Sequence, residues 1–257
     1  MKNWKYTSPV KPGFHEVITP ENSDCKESRF YRLNLKAGSS YTLNSDNLEM
    51  NLAVIQGRII ITHTLLRQEM KKLDSLYIPG KTLIKIKALE DSFCYIGGAP
   101  YEGIGELFYR PIDLSLPIGN IHQIHGKSPY EREVFMTVDT DLPASRLICG
   151  YTWSREGAWT SWPPHQHEKY LEEIYCYFDM SEHNYGLHLS YSNPGTLPHV
   201  YPVRSGDAVI APSGYHPTVA IPGSRNIYFW ILAAFCNKSR RYDLAKSDTN
   251  FDNVIKQ

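Results

Sequence analysis

The 257-residue chain has no CxxC pair, no excess of charge of either sign and no long apolar run. Its five cysteines, Cys25, Cys94, Cys149, Cys176 and Cys236, are odd in number and widely spaced. That pattern argues against a disulfide framework and a thiolate zinc site, and leaves them as small buried hydrophobes. Lys plus Arg equals Asp plus Glu at 27 each, so no global field holds a polyanion and nucleic acid is not an expected partner. No stretch approaches the roughly 20 apolar residues that cross a bilayer, and MKNWKYTSPVKPGFHEV lacks the apolar centre of a signal peptide. The expectation is a cytoplasmic protein, away from membranes, that acts on a small ligand.

Helical periodicity is scarce too. The best helical candidate, TLLRQEMKKLDS, reads equally as a strand and its turn. What is abundant is short β-branched and aromatic runs punctuated by Gly, Pro, Asn and Asp: RFYRLNL, NLAVIQGRIIITH, RLICGYTWS, EEIYCYFDM, GDAVIAPSGYH and RNIYFWILAAF. These predict an all-β protein, a sandwich or barrel with little helix. A segment with three prolines (Pro111, Pro117, Pro129) and little alternation suggests a connection near residues 110 to 130, and hence two domains, 1–125 and 126–257. The runs Asp74–Pro79 and Asp207–Pro212 match in character, and each is followed by a glycine and another apolar strand, which makes a duplicated β domain the working arrangement.

The chemistry is concentrated in WPPHQHEKYLEEIYCYFDM and GDAVIAPSGYH. Residues i and i+2 of a strand share a face, so His165 and His167 can aim both imidazoles at one point. Glu172 or Glu173 follows at a distance that lets the chain turn and return, and His216 lies just past a turn bracketed by Pro212 and Gly214. Three imidazoles and a carboxylate suit Zn, Fe, Mn, Ni or Co better than Mg or Ca. The first half has no HxH, and aligning the prolines puts Leu83 where His216 stands. His63 and Glu49 read as ordinary strand residues, so the first half is expected to be a metal-free scaffold.

GAWTSWPPHQHEKYLEE and GDAVIAPSGYH resemble the two motifs of the cupin superfamily. Within it, SWPPHQHE, LEEIYCYF and VRSGDAVIAPSGYHPTVAIPG resemble the 5-deoxyglucuronate isomerase family of bicupins, and more distantly the 5-keto-4-deoxyuronate isomerases. The resemblance is strongest over residues 145 to 235. It implies a bicupin of two antiparallel β-barrels, with His165, His167, His216 and one glutamate around a divalent metal, zinc first and manganese or iron as alternatives. The usual cupin spacing favours Glu172. Strand alternation favours Glu173, because Tyr175 and Tyr177 would then line a polar cavity while Ile174, Cys176 and Phe178 pack outside.

The resemblance further implies an aldose-ketose isomerisation of 5-deoxy-D-glucuronate to 5-dehydro-2-deoxy-D-gluconate in inositol catabolism. A uronate sugar would be the ligand, and barrel edges leave room for a homo-oligomer. Tyr175, Tyr177 and Glu172 are the candidates for proton handling, with Glu168 as a further one. Arg225, Lys169 and Trp162 are the substrate-binding candidates, beside Arg132, Arg155 and Arg204 for the carboxylate and Trp153, Trp159 and Tyr215 for the sugar face. A cupin dioxygenase and a non-catalytic sugar-binding cupin are the competing readings.

Overall fold

The computed structural model describes residues 3–252, and its strand pairings are antiparallel throughout. The named helical elements are three short 3-10 turns, Asn237–Ser239, Tyr242–Leu244 and Thr249–Phe251. TLLRQEMKKLDS forms the strand Leu66–Met70, paired with Ile59–His63, and a turn in which Asp74 accepts from the Lys71 amide at 3.0 Å. No helix among the described residues is long and apolar enough to cross a membrane.

Two large sheets lie back to back. One has six strands in the order Phe108–Arg110, Ser75–Ile78, Leu48–Gln56, Ser92–Pro100, Arg29–Leu35 and Gly13–Ile18. The other has seven: Lys5–Thr7, Asp207–Ala211, Leu171–Tyr177, Ile227–Ala234, Leu147–Ser154, Arg132–Val138 and His122–His125. One core joins them, with Phe30, Ile55 and Tyr95 from the first sheet against Ile174, Phe178, Phe229 and Ile231 from the second. Where the sheets face each other a Cβ on Gly97 would sit 2.8 Å from Ile231 Cγ1, so a glycine fits there.

A four-stranded sheet covers the outer face of each large one. Leu43, Ile59, Ile61, Ile84 and Ile86 of the first small sheet pack on Leu33, Leu52, Val54 and Ile78. In the second half Tyr201 and Val203 share a core with Tyr175, Tyr177, Tyr228 and Trp230. Every sheet is open, and each half has the form of two packed sheets, with no sheet closing into the barrel that the resemblance implies. The expected division at 125/126 falls within one hairpin, because His122–His125 pairs with Arg132–Val138. Lys5–Thr7, at the start of the chain, pairs with Asp207–Ala211 of the second half.

The register makes the likeness of the halves concrete. Ile78 pairs with Met50, and Ala211 pairs with Glu173. Aligning Pro79 with Pro212 therefore sets Met50 against Glu173, Leu83 against His216, and Glu49 against Glu172. Glu49 and Glu172 are reciprocal: each is buried, and each accepts backbone amides from the opposite half. Glu49 takes those of Ser145 (2.7 Å), Arg146 (2.5 Å) and Leu147 (2.6 Å). Glu172 takes those of Lys26 (2.8 Å), Glu27 and Ser28 (3.2 Å). Burial raises both carboxyls above the ordinary range, and the amide donors limit that rise.

Candidate metal centre

The strand Leu171–Tyr177 divides its side chains by alternation. Ile174 and Cys176 enter the core shared with the first half, while Tyr175 and Tyr177 face the interior of the second. Glu173 shares the interior face, and there it meets His165, His167 and His216, with one ligand atom from each residue lying within 4.8 Å of all the others. The imidazole centroids are 5.0 to 6.0 Å apart.

Three short pieces of backbone bring these groups together. His165 lies in the two-residue strand His165–Gln166, held by pairing with Lys246–Ser247. His167 opens the turn into Leu171–Tyr177, its carbonyl accepting the Tyr170 and Leu171 amides. His216 follows Gly214, whose φ of +77° and 2.6 Å approach of a Cβ to the Tyr191 carbonyl both require glycine. Glu168 ties the two histidine turns together by accepting the Gly214 amide at 2.9 Å, which gives it a positioning task.

The donor set fits a transition-metal ion. Each histidine has Nδ1 against a backbone carbonyl: Pro163 for His165 (3.1 Å), Leu171 for His167 (3.1 Å) and Gly214 for His216 (2.9 Å). A carbonyl only accepts, so Nδ1 carries the proton in all three and Nε2 presents a lone pair. His167 Nε2 lies 3.1 Å and His216 Nε2 3.2 Å from the same Glu173 oxygen, and the His216 nitrogen has no hydrogen bond of proper geometry. Burial, reinforced by its two histidine neighbours, depresses His165 to about 3, so the imidazole is neutral, the form a metal requires. Burial opposes ionisation of Glu173, but the close approach of His167 and His216 outweighs that and holds it below the usual carboxylate range.

Beside the cluster is a cavity of about 330 Å³. Its wall includes Thr152, Ser161, Tyr175, Tyr228 and Tyr242, the apolar residues Met136, Trp230 and Leu232, and Arg132 with His125 and Gln123. Gly150 makes room for the Trp230 wall, since a Cβ there would lie 2.5 Å from Trp230 Cζ2. The C-terminal segment crosses the cavity, supplying Tyr242 and Ala245 to the wall, Ser247 as the pairing partner of His165, and Phe251 against the Trp162 ring at 4.9 Å.

Several sequence expectations are corrected. Glu172 points away from the cluster into the junction between the halves, where its oxygens are taken by amides, so it cannot reach a ligand in the cavity. Tyr177 lies beneath the cavity, its hydroxyl on His188 Nδ1 (2.9 Å) and Thr218 Oγ1 (3.1 Å). Arg225 is exposed and donates to the Ser154 carbonyl at 2.8 Å. Lys169 is exposed on the turn, and Trp162 packs between Trp159 and Phe251 outside the cavity wall. Arg155 pairs with Glu131, Arg204 is exposed, Trp153 borders the core between the halves, and Tyr215 stacks on Tyr191. Tyr175 does line the cavity and donates to Ser161 Oγ at 3.0 Å. Sequence reasoning missed Tyr228 and His188, although alternation in the strands Ile227–Ala234 and Gly186–Ser190 carries the signal for both.

The chain is similar to known proteins over most of its length. The model of the KduI/IolB family matches residues 7–251. The chain is 27% identical over 243 residues to the 5-deoxy-glucuronate isomerase of Geobacillus kaustophilus, covering 88% of this chain and 86% of that protein. It is 26% identical over 260 residues to the one from Bacillus subtilis strain 168, covering 91% and 94%. The crystal structure of an IolB-like protein from Salmonella typhimurium LT2 superposes with a TM-score of 0.85 at 24% identity over 99% of this chain and 100% of that one. A Bacillus subtilis oxalate decarboxylase mutant shares the fold at a TM-score of 0.63 and 12% identity, over 96% and 80% of the two chains. A match running through both halves, and through the strands that carry the histidine and glutamate cluster, makes this chain a member of the KduI/IolB family.

Proposed function

We propose that this chain is a metal-dependent uronate isomerase that converts 5-deoxy-D-glucuronate to 5-dehydro-2-deoxy-D-gluconate in the breakdown of inositol in the cytoplasm. The observation that carries this reading is the convergence of three imidazoles, each with Nδ1 on a carbonyl, and the Glu173 carboxylate on the wall of a cavity of about 330 Å³. Relatives named for this isomerisation support it. In the same reading the two halves are a duplicated cupin unit. The first half lost the ligands, with Met50 and Leu83 at the places of Glu173 and His216, and the second half, including His122–His125, keeps the site.

His165, His167, Glu173 and His216 would hold a divalent ion, with zinc as the first expectation and manganese or iron as alternatives. When bound, such an ion supplies Lewis acidity toward a carbonyl and an adjacent hydroxyl. The remaining tasks belong to the protein. Aldose-ketose conversion takes a proton from C2 and returns one to C1, so it needs no oxidant. Burial holds the Tyr175 phenol well above its ordinary range, so it stays protonated and acts as a hydrogen-bond donor to oxygens that gain negative charge. Met136, Trp230 and Leu232 keep water from that side of the cavity.

The test is to incubate the purified protein with 5-deoxyglucuronate, with and without chelator, in air and without oxygen, and to follow the aldehyde proton by NMR. The expected result is loss of the signal that depends on metal and not on oxygen. Persistence of the aldehyde in metal-replete samples would sink the proposal, and a need for oxygen would favour a dioxygenase.

A further inference from the structure

The cavity wall carries a cation with no counter-ion among the described residues. Arg132 is half-buried at the start of the strand Arg132–Val138 and lines the wall. Its hydrogen bond among the described residues is a long one, Nη1 to the Tyr130 carbonyl at 3.4 Å, and it forms no ion pair among them. Its sequence neighbours are acids engaged elsewhere: Glu131 bonds Arg155 at 2.6 Å and Glu133 bonds His122 Nε2 at 2.7 Å. Glu173 is the one acid among the described residues of the wall, and it is committed to the histidines. His125, opposite Arg132 in the hairpin, is shifted toward its neutral form by partial desolvation and by Arg132 itself, and bonds Gln123 at 2.7 Å.

A guanidinium keeps its proton in proteins, so a half-buried one without an anion is an incompletely satisfied group. Its planar fork matches a carboxylate through two parallel bonds. Arg132 and Glu173 line the same cavity from different strands of the seven-stranded sheet, Arg132–Val138 and Leu171–Tyr177. An open-chain sugar acid in that cavity of about 330 Å³ would meet the guanidinium and the cluster on one wall lining.

We propose that Arg132 is the carboxylate anchor of this cavity, binding the acid end of an open-chain sugar acid whose carbonyl end lies at the histidine and glutamate cluster. The orientation rests on the isomerase reading, whereas the anion site itself does not. Arg132 would then set specificity for sugar acids over neutral sugars.

The test uses two acyclic probes, D-gluconate and the neutral D-glucitol, titrated calorimetrically into metal-loaded protein, alongside turnover of 5-deoxyglucuronate. The wild type should prefer gluconate. Arg132→Met should remove that preference and raise KM for 5-deoxyglucuronate about 10- to 100-fold, the scale of a lost charge-assisted fork. Metal content and circular dichroism should not change, and Arg132→Lys, which keeps the charge without the fork, should lie between. A gluconate preference that survives Arg132→Met, as binding through the metal alone would produce, overturns the assignment. Equal binding of the two probes by the wild type does the same. Absence of turnover in the wild type would count against the isomerase reading while the probe comparison still decides the role of Arg132.

Discussion

Glu172 and Glu173 are adjacent in the chain and serve opposite sides of one strand: the first carboxylate accepts amides of Lys26 to Ser28 in the other half, and the second meets His167 and His216. Exchanging either acid for its amide should separate stability from metal binding.

Glu173→Gln should weaken metal affinity more than about 10-fold while the far-ultraviolet circular dichroism stays unchanged, because the β core does not use that side chain. Glu172→Gln should keep its metal but lose about 1.5 to 3 kcal/mol of stability, since buried amides forfeit an ionic acceptor. Metal analysis and thermal melts on the two variants check this. A stable, metal-free Glu172→Gln would reverse the assignment of the pair.

Removing an imidazole should act on metal before fold. His165→Ala and His216→Ala are expected to purify folded with little bound metal and without turnover. In the wild type, chelator should abolish activity, and adding back Zn, Mn or Fe(II) singly, with activity measured for each, should identify the working ion. Full metal occupancy in either alanine variant would refute the ligand set.

The two tyrosines should part company as well. Tyr175 faces the cavity, so Tyr175→Phe should lower kcat by about 100-fold, the cost of one donor aimed at developing charge. Tyr177→Phe should leave kcat within a few fold and cost about 1 to 3 kcal/mol in melts, because His188 Nδ1 then loses its buried partner. Equal kinetic defects would argue against this division.

Gly150→Ala is a remote test of the wall. The added methyl meets Trp230 and the Phe135 carbonyl, so the expected result is a stability loss of about 1 to 3 kcal/mol and a raised KM. An unchanged Trp fluorescence spectrum together with unchanged KM would show that the strand absorbs the methyl without moving Trp230.

What could be read from the sequence was local in range. HxH, the following acids and PSGYH lie on short pieces of chain, and a period of two is enough to bring Glu173, Tyr175 and Tyr177 to one face. What could not be read was settled by partners far away in the chain. The amides that claim Glu172 are about 146 residues distant, so nothing near it signals a structural role. Which arginine enters the cavity depends on the pairing of His125 with Arg132 and on the register shift between Met136 and Val138. TLLRQEMKKLDS became a strand because its neighbour Ile59–His63 offers an edge, which composition does not reveal.

The exchange of carboxylates between the halves also bears on protein engineering. Glu49 and Glu172 are each buried by the half that does not supply them, so a catalyst reduced to its metal-bearing portion would carry two wounds. One is an acid whose hydrogen-bond donors have been deleted, and the other is a row of amides at Ser145 to Leu147 whose acceptor has gone. Miniaturisation by truncation would therefore need replacement partners designed at both places before the remaining half could stand alone.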